Sequence, residues 1–186
     1  MITLYPTIRE HVLESNAIEG IHDTHGPLVT SHIRAALFAR MQDPDAPLRD
    51  PLEIHARLAE GTPMASFGGT YRTSAIWVGD KKMPHHEHIP MLIDQWFELV
   101  DGFLQREETP KDRVKLAYFL HTWFLCIHPF RDGNGRTARL ILNTIRIKMG
   151  LPWKIVRSDT ESQVTYRAWI HRIEELFKEC NPDVYR

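Results

Sequence analysis

Cysteine is nearly absent from this chain: Cys126 and Cys180 are the only two among 186 residues. Two cysteines do not make a disulfide framework. Cys126 lies in a strongly apolar run and reads as a buried thiol. An excess of one charge is also missing. Lys and Arg number 23 against 24 Asp and Glu, a formal net charge of −1, which argues against a dedicated nucleic-acid surface and leaves local basic patches open. No apolar run reaches membrane-spanning length, so no membrane association is expected. The N-terminus, Met1-Ile-Thr-Leu-Tyr-Pro6, lacks a basic stretch followed by an apolar core. No signal peptide is therefore expected, and a cytoplasmic location is. Internal repeats, low-complexity tracts and interdomain linkers are likewise missing. A single domain over 1–186 is the expectation, long enough to bury well over half of its unfolded surface without a staple. Hydrophobic residues at 42% and charged residues at 25% fit an ordinary soluble globular protein.

What is present is helical pattern broken by proline. Pro27, Pro44, Pro47, Pro63, Pro84, Pro90, Pro110, Pro129, Pro152 and Pro182 fall between periodic segments, while Pro6 and Pro51 suit first turns of helices. The pattern predicts helices near 7–18, 30–41, 50–60, 90–106, 111–127, 135–149 and 160–179. The 111–127 segment is apolar on nearly every face and is expected to be central, with 135–149 packed beside it. Only residues 68–79 read as β, mixing glycines with β-formers. A short hairpin there would have to lean on the helices. The expected fold class is all-α in the main, a helical bundle with a short β-hairpin.

The densest chemistry lies in His128-Pro-Phe-Arg-Asp-Gly-Asn-Gly-Arg-Thr-Ala-Arg139. Asp132-Gly133-Asn134-Gly135 forms a turn whose glycines and Asn allow left-handed backbone angles. The turn delivers backbone N–H groups to a helix N-terminus, which favours anions. Arg136 and Arg139 are three apart and share a face of that helix. A di- or triphosphate suits this arrangement. Asp132 is placed to hold its divalent cation and His128 to accept a proton. A Gly-rich turn before a helix is common on its own; the full string is far more specific.

That string resembles the signature of the Fic family of protein AMP-transferases, His-x-Phe-x-Asp/Glu-Gly-Asn-Gly-Arg-x-x-Arg. His128, Phe130, Asp132, Gly133, Asn134, Gly135, Arg136 and Arg139 match without departure. The resemblance implies a Fic-type helical bundle and transfer of AMP from ATP to a hydroxyl on a target protein. It makes His128 the general base, Asp132 the ligand of Mg²⁺ (or Mn²⁺), and the backbone of Gly133, Asn134 and Gly135 an anion hole. Arg136 and Arg139 would offset charge on the leaving pyrophosphate, and Phe130 would point into the core. In Fic proteins a hairpin flap pairs with the target's backbone. Residues 64–83 resemble that flap, with Thr70, Tyr71, Arg72, Ser74, Ala75, Ile76, Trp77 and Val78 as docking residues. A surface hairpin without a role is the bland alternative.

Ser15-Asn-Ala-Ile-Glu19-Gly20 closes the first helix. Alone it is an ordinary helix end with Gly20 as a stop. Beside the main motif it resembles the family's inhibitory element, Ser/Thr-x-x-x-Glu-Gly/Asn, and marks 1–26 as an inhibitory region acting in cis. Glu19 would pair with Arg139 and deny that arginine to the γ-phosphate of ATP. Self-inhibited relatives often regulate themselves through dimerisation, which leaves room for a homodimer.

Several alternatives stay open on sequence. In some self-inhibited relatives the same glutamate orients a water that removes AMP, so a bifunctional or mainly deAMPylating enzyme is compatible with Glu19. Doc-like kinases carry lysine where Gly135 stands, which argues against phosphate transfer. A nucleotide-binding module without activity would show decay of His128, Asp132 or an arginine, and none is decayed. A metal-dependent hydrolase would need more ligands than His128 and Asp132. The run His85-His86-Glu87-His88 has no familiar zinc spacing. His121 reads as a satisfied core histidine, Asp159 as a helix cap, and Glu161 and Glu174 as exposed. Tyr166, Arg167 and Asn143 are weaker candidates for residues near the nucleotide.

Overall fold

The structure is a computed structural model that describes residues 4–185. The first three residues of the N-terminal segment read above for a leader lie outside the described residues. Among the described residues seven α-helices carry the fold: α1 Leu4–Ile18, α2 Pro27–Arg40, α3 Pro51–Ala59, α4 Ile89–Leu104, α5 Pro110–Ile127, α6 Asn134–Lys148 and α7 Thr160–Cys180. Each predicted helix is found, displaced by a few residues at its ends. Pro27, Pro90 and Pro110 were expected between helices, but they sit in the first turns of α2, α4 and α5. A first-turn N–H has no intrahelical partner, so proline costs nothing there. Side-chain caps set other starts. Asp50 accepts from Leu52 N–H, Thr109 from Asp112 N–H and Asp159 from Ser162 N–H.

The most enclosed helix is α6 rather than α5. α6 is flanked by α1, α2, α3 and α5, and twelve of its fifteen residues are buried. The N-terminal part of α5, through Leu116, has no buried residue, and burial is concentrated in its C-terminal half. Lys111, Asp112, Arg113 and Lys115 break the apolar pattern in that first part. The core between the helices is filled by Trp96, Leu120, Phe124, Phe130, Leu140, Ile141 and Ile145. Trp96 satisfies its indole N–H on the carbonyl of Leu120. The helix that carries the arginines is therefore fixed on several sides.

The β-structure is smaller and later in sequence than expected. Antiparallel strands β1 Trp77–Val78 and β2 Lys81–Lys82 pair Trp77 with Lys82 and Val78 with Lys81. Met83 N–H also donates to the Ile76 carbonyl. Residues 65–67 form a 3-10 turn, and the chain from Gly68 to the strand is irregular. The reason is close packing on α3. A Cβ on Gly68 would strike Ala59, and one on Gly69 would strike Ala56. The backbone there lies flush on a helix and has no strand partner. The hairpin is tied down at its end: Lys81 pairs with Glu174 on α7 and Lys82 donates to the Tyr185 carbonyl. Glu174, expected to be exposed, is half-buried because Lys81 and Lys178 both bond it. Among the described residues, no helix is long and apolar enough to cross a membrane.

Candidate active site

The site forms where α5 ends and α6 begins. His128 caps α5 in the left-handed region (φ 50, ψ 58) and is the one non-glycine with positive φ among the described residues. That conformation is costly for a residue with a Cβ and turns the chain abruptly. Gly133, also left-handed at φ 76, makes the second turn into α6. Between them the buried Phe130 ring stacks on His55, with centroids 3.8 Å apart. The Asn134 side chain closes the loop, accepting from Phe130 N–H at 2.9 Å and donating to Phe130 O at 2.8 Å. Asn134 is therefore committed to shaping the loop and offers a ligand only its backbone N–H.

The imidazole of His128 places Nδ1 3.3 Å from the Leu125 carbonyl. A carbonyl only accepts, so Nδ1 carries the hydrogen and Nε2 keeps its lone pair. Burial pushes the His128 pKa down to about 4 and Arg72 adds to the effect, against the opposing influence of the Leu125 carbonyl, Glu19 and Asp132. At neutral pH the ring is an uncharged base.

Both arginines are buried. Arg139, 2% exposed, donates through Nε to Ser15 Oγ at 2.7 Å and through Nη2 to the Ser15 carbonyl at 2.8 Å. Nη2 also meets Glu19 Oε1 at 2.6 Å. Arg136 reaches the Met64 sulfur at 3.4 Å and stands 3.7 Å from Asp132 Oδ1. Its Nε and Nη1 are buried without a hydrogen-bond partner. A buried, unpaired guanidinium N–H costs free energy that an incoming anion would recover. Gly135 completes the arrangement. A Cβ at that position would collide with Glu19 Oε1, so the carboxylate lies directly on the first turn of α6. That is the position the partial positive charge of a helix N-terminus favours for an anion.

The Fic/DOC family profile matches residues 45–145, more than half of the chain. The chain belongs to the Fic/DOC family. It is 33% identical over 123 residues to the protein adenylyltransferase fic-1 of Caenorhabditis briggsae, covering 66% of this chain and 23% of the relative. With the protein of the same name from Caenorhabditis elegans it shares 31% over 140 residues, 75% of this chain and 26% of the relative. The chain thus spans about a quarter of the length of these curated relatives. Among solved structures, a Fic-domain-containing signalling protein from Bacteroides thetaiotaomicron superposes with a TM-score of 0.72 at 22% identity, covering 90% of this chain and 72% of that one. Fic-1 from C. elegans superposes at 0.66 and 22% identity, covering 93% and 62%. These likenesses establish the Fic fold.

Within this Fic-family chain, the remaining candidates fall in different places. Ser15 is buried against Arg139, while Gly20 is exposed in a left-handed turn (φ 74) that ends α1. Thr70, Ser74, Ala75, Trp77 and Val78 are exposed on the hairpin segment, and Ile76 is half-buried. Arg72 faces inward, contrary to its expected docking role. Its guanidinium donates to the carbonyls of His128, Ser74 and Pro84, and its backbone N–H to Pro129 O. It staples the flap segment to the motif loop. Tyr71 is half-buried near Phe130, and burial pushes its hydroxyl pKa up to about 12.

Asn143 does not face a ligand space. It is buried, bonding Arg139 O, Lys154 O and Lys154 N–H, and so pins the segment after α6. Tyr166 gives its hydroxyl to His121 Nε2 at 2.7 Å, whereas Arg167 is exposed. His121 is a satisfied core histidine, its Nδ1 on the Ala138 carbonyl. His85, His86 and His88 pack their rings together, and among the described residues no group of three or more His, Cys, Asp or Glu is placed to hold a metal ion. Two contacts escaped sequence reasoning. His32 Nδ1 meets Asn16 Oδ1 at 2.8 Å, bracing the end of α1, and His55 bonds the Asp132 carbonyl at 3.0 Å. Both residues occupy ordinary-looking helix positions, and neither residue type points to its partner.

Proposed function

We propose that this chain is a protein AMP-transferase that moves AMP from ATP to a hydroxyl side chain of a target protein, and that Glu19 restrains it in cis. The observation that carries the reading is the anion seat at the start of α6: two buried arginines, a glycine whose open face already holds a carboxylate, and a neutral imidazole at the adjoining turn. In the forward reaction the target oxygen bonds to the α-phosphorus of ATP, the bond to pyrophosphate breaks, and His128 Nε2 takes the hydroxyl proton. The N–H groups of Asn134 and Gly135 would meet the phosphates at the positive end of α6, while the Gly133 N–H holds Asp132 Oδ1. Arg136 and Arg139 offset the charge gathered on pyrophosphate as it leaves.

Asp132 fits a magnesium ion. Its side chain is 63% exposed at the mouth of the seat, and magnesium takes one or two carboxylates with phosphate oxygens and waters filling the rest. Magnesium or manganese would supply positive charge against the phosphates.

Residues 1–26 act as the brake. While Glu19 holds Arg139, the γ-phosphate is denied that arginine and the α-phosphate is misplaced for in-line attack. A misplacement of about one ångström costs on the order of a hundredfold in rate. Residues 64–83 act as the flap. The exposed strand at Trp77 and Val78 offers main-chain groups to an extended target segment.

The test uses ATP labelled at the α- or the γ-phosphate, with magnesium, on wild type and a Glu19→Gly variant. Label retained on protein from α-labelled ATP alone supports the reading. Label from γ-labelled ATP means phosphate transfer instead. No label from either, even with Glu19 replaced, means a nucleotide-binding module.

A further inference from the structure

His55 is a second buried side chain, after Arg72, that ties the motif loop to the root of the hairpin segment. It projects from α3 with no solvent exposure. Nδ1 receives the Gly69 N–H at 3.0 Å, and Nε2 lies 3.0 Å from the Asp132 carbonyl. These partners fix its tautomer without further assumption. An amide N–H only donates, so Nδ1 must offer a lone pair; a carbonyl only accepts, so Nε2 must carry the hydrogen. The ring lies flat on Phe130, with an interplanar angle of 10°. It also crowds the turn, since a Cβ on Gly133 would sit 3.4 Å from Nε2.

We infer that His55 is a positioning residue for the phosphate seat, setting the Asp132–Gly133 peptide in register with the flap root. The Nε2–H bond fixes the direction of the Asp132 carbonyl. The same peptide plane carries the Gly133 N–H, which closes back on Asp132 Oδ1 at 2.6 Å. One imidazole therefore orients both the carboxylate at the mouth of the seat and the turn that leads into the first N–H groups of α6. Its other nitrogen anchors Gly69, where the chain lies flush on α3. Phenylalanine or leucine would fill the volume and leave the Asp132 carbonyl and the Gly69 N–H buried without partners. The inference rests on the reading of the α6 N-terminus as the place where nucleotide phosphates sit.

Two substitutions separate the two bonds. A His55→Gln side chain can place its amide N–H where Nε2–H stood and keep the Asp132 contact. A His55→Asn side chain can accept from Gly69 but falls short of Asp132. Both are made in the Glu19→Gly background, and ATP with magnesium is titrated by calorimetry alongside thermal melting. The Gln variant should bind ATP within about threefold of its parent, while the Asn variant should bind about tenfold more weakly at a similar melting temperature. Equal losses, no loss in the Asn variant, or losses that follow melting temperature would overturn the inference. Long-range ¹H–¹⁵N spectra of wild type give a second readout that needs no variant to fold. His55 should appear neutral with the hydrogen on Nε2; the Nδ1–H form would overturn it. If the Glu19→Gly protein binds ATP but transfers no AMP, the proposed activity fails while the affinity order still decides the role of His55.

Discussion

Glu19 and Arg139 lie 120 residues apart in sequence and meet at 2.6 Å over the first turn of α6. Ser15, one helical turn before Glu19, bonds the same guanidinium through both its hydroxyl and its carbonyl. The two contacts differ in what they do to the arginine. Ser15 fixes where the guanidinium points, and Glu19 shares Nη2 with the Ser15 carbonyl while its Oε1 covers Gly135. On the proposed reading, Glu19 competes with an anion for a site that Ser15 keeps in shape.

Removing the carboxylate should raise activity. Glu19→Gly is expected to increase autoAMPylation from α-labelled ATP, and a tenfold gain requires only about 1.4 kcal/mol. Combining it with Arg139→Ala should abolish the gain, since the freed arginine is what positions the phosphates. An unchanged rate in the single variant, with Arg139 still required, would remove Glu19 from the mechanism and leave the transferase assignment in place.

His128 should behave as a base with a low pKa. His128→Ala in the Glu19→Gly background should lose about 10²–10⁴-fold in transfer with ATP affinity largely kept. Because burial holds the ring near 4, the neutral form persists well below the ordinary histidine range. The acid limb of kcat/KM should therefore lie nearer pH 4 than 6.5, as far as the fold permits measurement. A midpoint at 6.5 assigned to His128 would contradict the buried, uncharged ring.

Acid should weaken the fold through histidines that catalysis does not use. Burial pushes His11 and His121 down to about 3, with the charge of Arg139 also lowering both. A histidine whose folded pKa lies below its unfolded value contributes stability that is fully present above the unfolded value near 6.5 and declines as pH falls towards 3. Urea midpoints should drop between pH 6.5 and 5, before the carboxylates begin to titrate. A flat midpoint over that interval would be the contrary result.

Arg72 should matter for stability and for activity together. Arg72→Lys keeps a charge but cannot reach the carbonyls of His128, Ser74 and Pro84 at once. A loss of about 2–3 kcal/mol in urea unfolding is expected, because buried carbonyls lose charged donors. Transfer should fall further than the stability loss accounts for, since the His128 carbonyl is one of the groups released. A lysine variant with wild-type stability would mean that the staple contributes nothing.

Sequence pattern and structure agree best where the information is local. His128, Asp132, Arg136 and Arg139 fall within twelve residues, so a turn and one helix suffice to bring them together. The pairing of Glu19 with Arg139 is legible only through resemblance, because nothing in residues 15–20 alone points to a partner 120 positions away. The inward contacts of Arg72 and His55 are not legible for a different reason. Their partners are backbone groups of His128, Ser74, Pro84, Asp132 and Gly69, and a main-chain carbonyl or amide leaves no trace in residue identity. Asn143 shows the same limit, a polar residue in the most buried helix whose bonds all go to backbone. The hairpin starts later than its pattern suggests, because β-formers and glycines fill 68–76 as well. There the glycines serve close packing on α3 instead of pairing.

The free edge of the hairpin should hold a target through its main chain. Met83 N–H donates to Ile76 O, and Trp77 lies opposite Lys82. In an antiparallel pair, hydrogen-bonded and non-bonded positions alternate. Ile76 therefore turns its main-chain groups towards the second strand, and Trp77 turns its own outward to the free edge. Trp77 is also 59% exposed, so neither its indole nor its N–H is committed within the molecule. Trp77→Ala and Trp77→Pro both remove the indole, but only proline removes the N–H, a change that edge strands tolerate. If a target docks by adding a strand, the proline variant should modify it markedly less than the alanine variant does. AutoAMPylation and ATP affinity should match between the two. Should both variants modify the target equally well, main-chain pairing at this edge is not how the target is held. If proline also depresses autoAMPylation to the same extent, it has disturbed the His128 loop through Arg72, and the edge is not the cause.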